Sequence, residues 1–187
     1  MRIIAGSLKG RRLQTPKWAG LRPTSDKLRE TLFNIVAPRI EQARVLDAYA
    51  GTGAIGIEAL SRGAAHVTFA DTDPRALRLI EENLMLCGLS DRYAIIRVRL
   101  GAPASSLESV AGPFDLAVLD PPYDVPDLTA AIAAVASFVA PDGLLILEHA
   151  KRRPAPQAVG DLGRFRDVQS GDSALAFYTR QELPTHG

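Results

Sequence analysis

Two short stretches of this 187-residue chain concentrate side chains able to do chemistry. The first is Asp47-Ala48-Tyr49-Ala50-Gly51-Thr52-Gly53-Ala54-Ile55-Gly56, in which Gly51, Gly53 and Gly56 satisfy a G-x-G-x-x-G spacing, and Asp71 follows Gly51 by 20 residues. Glycines at such a turn let the backbone approach a ligand closely, and a carboxylate at the end of the next strand can accept hydrogen bonds from ribose hydroxyls. The pattern points to an adenosine-containing cofactor without saying which one. A tight strand-to-helix turn with no ligand is the plainer reading of the same glycines.

The second stretch, Asp120-Pro121-Pro122-Tyr123, directly follows the apolar run Leu116–Leu119. Two consecutive prolines cannot continue a ladder and hold the chain extended. The segment therefore presents the Asp120 carboxylate, the Pro121 carbonyl and the Tyr123 ring together at a strand end.

The elements that must position these stretches follow from periodicity and from breakers. Met1–Ala5 and Arg11–Thr15 read as two short strands around a turn with Gly6 and Gly10. Thr24 or Ser25 can cap a helix with Leu28, Leu32, Ile35 and Val36 at helical spacing, ended by Pro38 or close to it. From Arg44 onward strand, turn and helix alternate. Strands are expected at Val45–Tyr49, His66–Asp71, Ala94–Val98, Leu116–Leu119 and Leu144–Leu147. Helices are expected at Ala54–Arg62, Arg75–Cys87 and Leu128–Val139. Such alternation implies a parallel sheet with right-handed crossovers and helices on both faces. Arg164–Gln169 and Ala174–Arg180 flank Ser170-Gly171-Asp172-Ser173 with no room for a helix between them, so the sheet should finish on an antiparallel strand.

Composition narrows the class. Apolar residues are 47% and charged residues 23% of the chain, which excludes a disordered, collagen-like or coiled-coil protein. One cysteine and three histidines make a disulfide framework impossible within one chain and leave no Cys/His zinc pattern. No metal is expected. The longest apolar stretch, Leu128 to Ala140, is too short to span a bilayer, and Lys9, Arg11 and Arg12 interrupt any leader-like run, so a soluble cytoplasmic protein is expected. The net charge of +1 divides unevenly: residues 1–44 carry +7 and the remainder −6. A basic end of this kind suits a polyanionic partner, although a solvated surface has the same composition.

With both stretches in place, the chain resembles the Rossmann-like S-adenosylmethionine-dependent methyltransferases, whose amino-group members carry [Asp/Asn/Ser]-Pro-Pro-[Tyr/Phe/Trp] after the fourth strand. Further blocks make the resemblance closer: Arg2-Ile3-Ile4-Ala5-Gly6, Lys9-Gly10-Arg11, Arg22-Pro23-Thr24, Arg29-Glu30-Thr31-Leu32-Phe33-Asn34-Ile35 and Gly56-Ile57-Glu58-Ala59-Leu60-Ser61-Arg62-Gly63-Ala64. From Arg2 to about Arg180 the sequence is similar to the bacterial family that methylates N2 of a guanine in 16S ribosomal RNA. The resemblance implies an α/β Rossmann-like core, residues 44–187, with a seven-stranded, mostly parallel sheet and an antiparallel C-terminal strand. It also implies a basic hairpin-and-helix extension, residues 1–43, and a monomer acting on the 30S subunit or its assembly intermediate.

Carried over by position, the resemblance assigns Asp47, Tyr49, Ala50, Gly51, Thr52 and Gly53 to the loop that holds the methionine part of S-adenosylmethionine, and Asp71 and Thr72 to its ribose. Asp120, Pro121, Pro122 and Tyr123 become the catalytic motif. Lys9, Arg11, Arg12, Arg22, Thr24 and Arg29 become RNA contacts, the last three within a signature that also serves closure over the cofactor. An exocyclic amine is a poor nucleophile because its lone pair is delocalised into the ring. Asp120 and the Pro121 carbonyl could hold its N–H groups and favour the tetrahedral form while Tyr123 stacks on the base. One departure stands out: many relatives have an acidic residue near the adenine after the third strand, where this chain reads Arg99-Leu100-Gly101-Ala102-Pro103.

Other readings remain open at this point. Asp-Pro-Pro-Tyr selects an amine rather than a base, so adenine N6 or cytosine N4 of DNA or RNA is an alternative target. Glutamine methyltransferases of proteins favour Asn at the first position. A nicotinamide-dependent oxidoreductase fits the glycines but leaves Asp120–Tyr123 unexplained, and a non-catalytic RNA-binding assembly factor would have no use for the intact motif. Cys87, His66 and His149 read as structural, and Trp18 either stacks on a base or packs beneath the hairpin.

Overall fold

The Ser25 hydroxyl accepts the Leu28 N–H at 3.2 Å and starts α1, Asp26–Ile40. In the computed structural model, which describes residues 1–16, 18, 24–100 and 112–181, three further helices follow. These are α2 (Ala54–Ser61), α3 (Pro74–Leu86) and α4 (Leu128–Ala136). Asp73 caps α3 with Pro74 in its first turn, and Gly88, at φ +72°, lies just beyond its end. Asp127 caps α4 by accepting the Thr129 N–H at 2.7 Å.

The strands are β1 (Arg44–Ala48), β2 (His66–Asp71), β3 (Tyr93–Arg97), β4 (Phe114–Leu119), β5 (Val139–Ala150), β6 (Ala158–Val159), β7 (Leu162–Ser170) and β8 (Ser173–Arg180). They form one sheet in the order β3-β2-β1-β4-β5-β8-β7-β6, parallel from β3 to β5 and antiparallel beyond. The order reverses between β1 and β4, which places the glycine turn and Asp120–Tyr123 side by side at the carboxyl edge. Helices cover both faces. Val45, Val67, Leu116, Val118, Leu144 and Ile146 pack with α1, α2 and α3, while Leu46, Ala117, Leu119, Leu145 and Leu147 pack with α4. This two-sided burial explains why the central strands read as unbroken apolar runs.

Several expectations need correction. The sheet has eight strands among the described residues rather than seven, because the two-residue β6 adds an outer edge. The N-terminal hairpin forms no regular strands: its arms meet at one antiparallel bridge, Arg2 to Arg12, flanked by bonds from the Ile3 N–H to the Arg11 carbonyl at 2.9 Å, the Gly10 N–H to the Ile3 carbonyl at 2.9 Å and the Leu13 N–H to the Met1 carbonyl at 3.1 Å, while other backbone groups of the segment bond side chains of the helices. The end of α1 at Ile40, two residues past Pro38, is as expected. The fourth helix stops at Ala136, and β5 begins at Val139, where the Phe114 N–H bonds the Phe138 carbonyl and the register shifts before Leu116 pairs with Leu144.

The first fourteen residues are strapped to the core through side chains of α2 and α3. Glu58, fully buried, accepts the Ile4 and Ala5 N–H groups at 2.7 and 2.9 Å and the Arg62 Nε at 2.8 Å. One turn on, Ser61 donates to the Ala5 carbonyl at 2.6 Å and accepts the Leu8 N–H at 3.0 Å. Asn83 of α3 accepts the Gln14 N–H at 2.7 Å and donates to the Thr52 carbonyl at 2.9 Å, tying the segment to the glycine turn. Ile3 and Leu13 are buried in the same apolar cluster as α1 and α2. Gly6 is required here: a Cβ would sit 1.9 Å from the Ser61 carbonyl oxygen.

Candidate active site

Every glycine of the turn has its own reason. Gly51 and Gly53 adopt φ of +56° and +75°, which L side chains rarely adopt. A Cβ on Gly56 would lie 2.2 Å from the Phe69 ring, so this glycine lets α2 pack against β2. Tyr49 also has φ +60°, unusual for a bulky residue and here imposed at the exit of β1. Ala50 and Thr52 are buried in the turn, and the Thr52 hydroxyl accepts the Ala54 N–H at 3.3 Å.

Two carboxylates brace this loop. Asp71 accepts the Gly51 N–H at 2.9 Å on one oxygen and the Asp73 N–H at 2.9 Å on the other, which fixes its plane at the end of β2. Each oxygen keeps a second lone-pair site, as a ribose diol requires. Asp47 is buried and accepts the Gly56 N–H at 2.8 Å; burial pushes its carboxyl up to about 8, the Gly56 hydrogen bond opposes this, and the neighbouring Asp71 charge adds to it. Thr72 is exposed beside Asp71. The residues therefore fit an adenosine-type cofactor: a fixed strand-end carboxylate and a glycine turn whose backbone a ligand can approach closely.

At the adjoining strand end the Asp120 N–H bonds the Ala48 carbonyl at 3.2 Å, so the motif starts in register with the glycine turn. Thr24 donates its hydroxyl to Asp120 Oδ2 at 2.8 Å and also lies 3.1 Å from Glu148 Oε2. Pro121 is buried and Pro122 exposed, and the Val125 N–H closes a turn on the Pro122 carbonyl at 2.9 Å. The Tyr123 hydroxyl is hydrogen-bonded to Ser173 at the start of β8. Arg153 binds the Val125 and Pro126 carbonyls, anchoring the loop from behind. His149 lines the small cleft beneath Pro121, Pro122 and Tyr123, and its Nδ1 lies 2.9 Å from the Arg153 carbonyl, so Nδ1 carries the hydrogen.

The basic candidates separate. Lys9, Arg11 and Arg12 are exposed around the N-terminal turn, with Arg11 Nη1 3.5 Å from the Leu86 carbonyl at the end of α3. Arg29 is fully buried and donates to the Arg2 carbonyl and to Asp26 Oδ1, each at 2.7 Å; it has no surface to offer a phosphate and holds α1 to the N-terminal segment instead. Thr24 faces Asp120 rather than the basic turn. Arg22 lies outside the described residues, as do Pro23 and Gly101-Ala102-Pro103. The Arg75 guanidinium sits 5.2 Å from the Trp18 ring centroid, near the Asp71 end of the site. Cys87 is a buried free thiol, and burial raises its pKa.

Glu148, Ser173, Glu58, Ser61 and Asn83 were not legible as site or supporting residues from local pattern. The Glu58/Ser61 pair sits in one of the blocks that carry the family resemblance, and its i, i+3 spacing puts both on the helix face that receives the N-terminal segment.

A doubly wound sheet with a glycine turn, a strand-end carboxylate and Asp-Pro-Pro-Tyr after β4 defines a Rossmann-like methyltransferase. The family model described as conserved hypothetical protein 95 matches residues 1–179, and the chain belongs to that family. Ribosomal RNA small subunit methyltransferase D of Haemophilus influenzae is 37% identical over 82% of this chain and 81% of its own. The protein of the same name from Escherichia coli K12 is 33% identical over 97% and 90%. Among solved structures, the Escherichia coli protein yhhF superposes with a TM-score of 0.81 at 31% identity, covering 97% of this chain and 98% of that one.

Proposed function

We propose that this protein transfers a methyl group from S-adenosylmethionine to the exocyclic N2 amine of a guanine in 16S ribosomal RNA, within the 30S subunit or an assembly intermediate. The observation that carries this reading is the adjacency of a braced cofactor turn and the Asp120–Tyr123 motif across the β1/β4 switch point, in a chain similar along most of its length to ribosomal RNA small subunit methyltransferases. When bound, S-adenosylmethionine supplies an electrophilic methyl on a sulfonium.

The chain's own groups do the rest. Asp71 holds the ribose hydroxyls, and the backbone of Tyr49–Gly53 receives the methionine part. Asp120 accepts one N–H of the amine and the Pro121 carbonyl the other, which localises the nitrogen lone pair toward the methyl. The Tyr123 ring, held by its hydroxyl bond to Ser173, offers a face for the base. A guanine in a stacked helix cannot reach this edge, so the target is unpaired or flipped out. Lys9, Arg11 and Arg12 neutralise phosphates without reading sequence.

Incubation of the protein with methyl-labelled S-adenosylmethionine and, separately, 30S particles, free 16S rRNA and DNA tests the substrate class. Label is expected in 16S rRNA, most of it when presented in particles; label in DNA alone would contradict the reading.

A further inference from the structure

Asp-Pro-Pro-Tyr recognises an amine and leaves the choice of base unexplained. We infer that Glu148 makes that choice, accepting the N1–H of the target guanine while Asp120 accepts an N–H of its 2-amine. This deepens the guanine-N2 reading above and rests on it.

Leu119 of β4 pairs in register with Leu147 of β5, so Asp120, just past the end of β4, and Glu148, within β5, lie at the same level on neighbouring parallel strands. Val118 and Ile146, two residues earlier on each strand, pack in the same cluster, and strand alternation puts Asp120 and Glu148 on that face as well. Both then meet one oxygen: Thr24 Oγ1 lies 2.8 Å from Asp120 Oδ2 and 3.1 Å from Glu148 Oε2, so the two carboxylate oxygens are no farther apart than those contacts end to end. Glu148 is 5% exposed and cannot be dismissed as a solvated surface charge.

Two acceptors side by side match one base edge. Guanine presents its 2-amine directly beside N1–H, two adjacent donors. The N6 amine of adenine is flanked by N1 and N7, and the N4 amine of cytosine by N3; these are lone pairs, which a carboxylate at the Glu148 position repels. Specificity then comes from attraction to one edge and repulsion of the others. The same logic separates the roles: Asp120 acts on the amine that reacts, and Glu148 on the ring nitrogen beside it.

The test uses 30S particles reconstituted with 16S rRNA that carries either guanine or 2-aminopurine at the methylated position. 2-Aminopurine keeps the 2-amine but has an unprotonated N1. Wild-type enzyme is expected to prefer guanine by roughly a hundredfold or more in kcat/KM. Glu148→Gln, whose amide can donate to the bare N1, is expected to narrow that ratio by about tenfold or more. Glu148→Met removes the acceptor without adding a donor and should narrow it through loss on guanine alone. Cofactor affinity near that of wild type shows that each variant is folded. A guanine preference unchanged in both variants, whatever the fall in absolute rate, overturns the assignment to Glu148. Wild-type methylation of adenine or cytosine, or of nothing, instead removes the guanine reading itself.

Discussion

The Thr24 hydroxyl lies 2.8 Å from Asp120 Oδ2 across 96 residues of sequence. The residue before the α1 cap is thereby joined to the chemistry at the end of β4. This donor fixes the orientation of the Asp120 carboxylate, so under the proposed function a segment from the basic end of the chain can influence methyl transfer without touching RNA.

Replacing Thr24 with Val keeps the shape of the side chain and deletes the donor. The expected result is a fall of about tenfold in kcat with cofactor affinity changed by no more than about twofold. Single-turnover rates alongside equilibrium cofactor binding measure both. Normal kcat with weakened RNA binding would instead return Thr24 to the phosphate contacts.

Asp71→Ala should act on the cofactor first. The substitution removes the proposed ribose acceptor and releases the Gly51 and Asp73 N–H groups, so affinity for S-adenosylmethionine is expected to drop by roughly 10- to 100-fold. At saturating cofactor, kcat should recover most of its value. Calorimetric titration and rates at several cofactor concentrations separate the two effects.

Asp47 makes stability depend on pH. Its folded-state pKa is raised from 3.8 to about 8, so across that window the folded chain keeps a proton that the unfolded chain releases. The contribution to stability therefore declines as pH rises from about 4 to about 8 and levels off above that. Asp47→Asn cannot titrate, so its Tm relative to wild type should increase by roughly 5 °C or more between about pH 5 and about pH 8. Thermal unfolding across pH decides it; parallel curves for the two proteins would refute the buried-proton assignment.

Charge reversal at the exposed turn, Arg11→Glu with Arg12→Glu, should weaken binding to 30S particles and flatten its salt dependence by up to two ions' worth of slope. Cofactor affinity should be nearly unchanged. An equal loss of cofactor binding would mean that these arginines support the fold of the site rather than the RNA.

What the sequence made legible was whatever short-range pattern encodes. The apolar runs of β1, β2 and β4, the Asp73-Pro74 start of α3 and the glycine turn with its carboxylate are all local signals, and the two candidate stretches meet at the carboxyl edge as the strand and helix alternation requires. Contacts between distant segments were not legible. Nothing local says that Glu58 and Ser61 receive the backbone of residues 4–8, that Asn83 links Gln14 to Thr52, or that Glu148 shares a hydroxyl with Asp120. Arg29 shows the same limit from the other side: an arginine in a basic stretch reads as a phosphate contact until packing buries it against the Arg2 carbonyl and Asp26.

The most direct measurement is the identity of the modified nucleoside. 30S particles are incubated with S-adenosylmethionine and either wild-type enzyme or Asp120→Ala, and the 16S rRNA is digested and analysed by chromatography and mass spectrometry. Guanine-N2 methyl transfer assisted by Asp120 predicts N2-methylguanosine with wild type and a loss of about a hundredfold or more with Asp120→Ala, which still binds the cofactor. N6-methyladenosine or N4-methylcytidine in place of N2-methylguanosine, or near-normal turnover by Asp120→Ala, would contradict it.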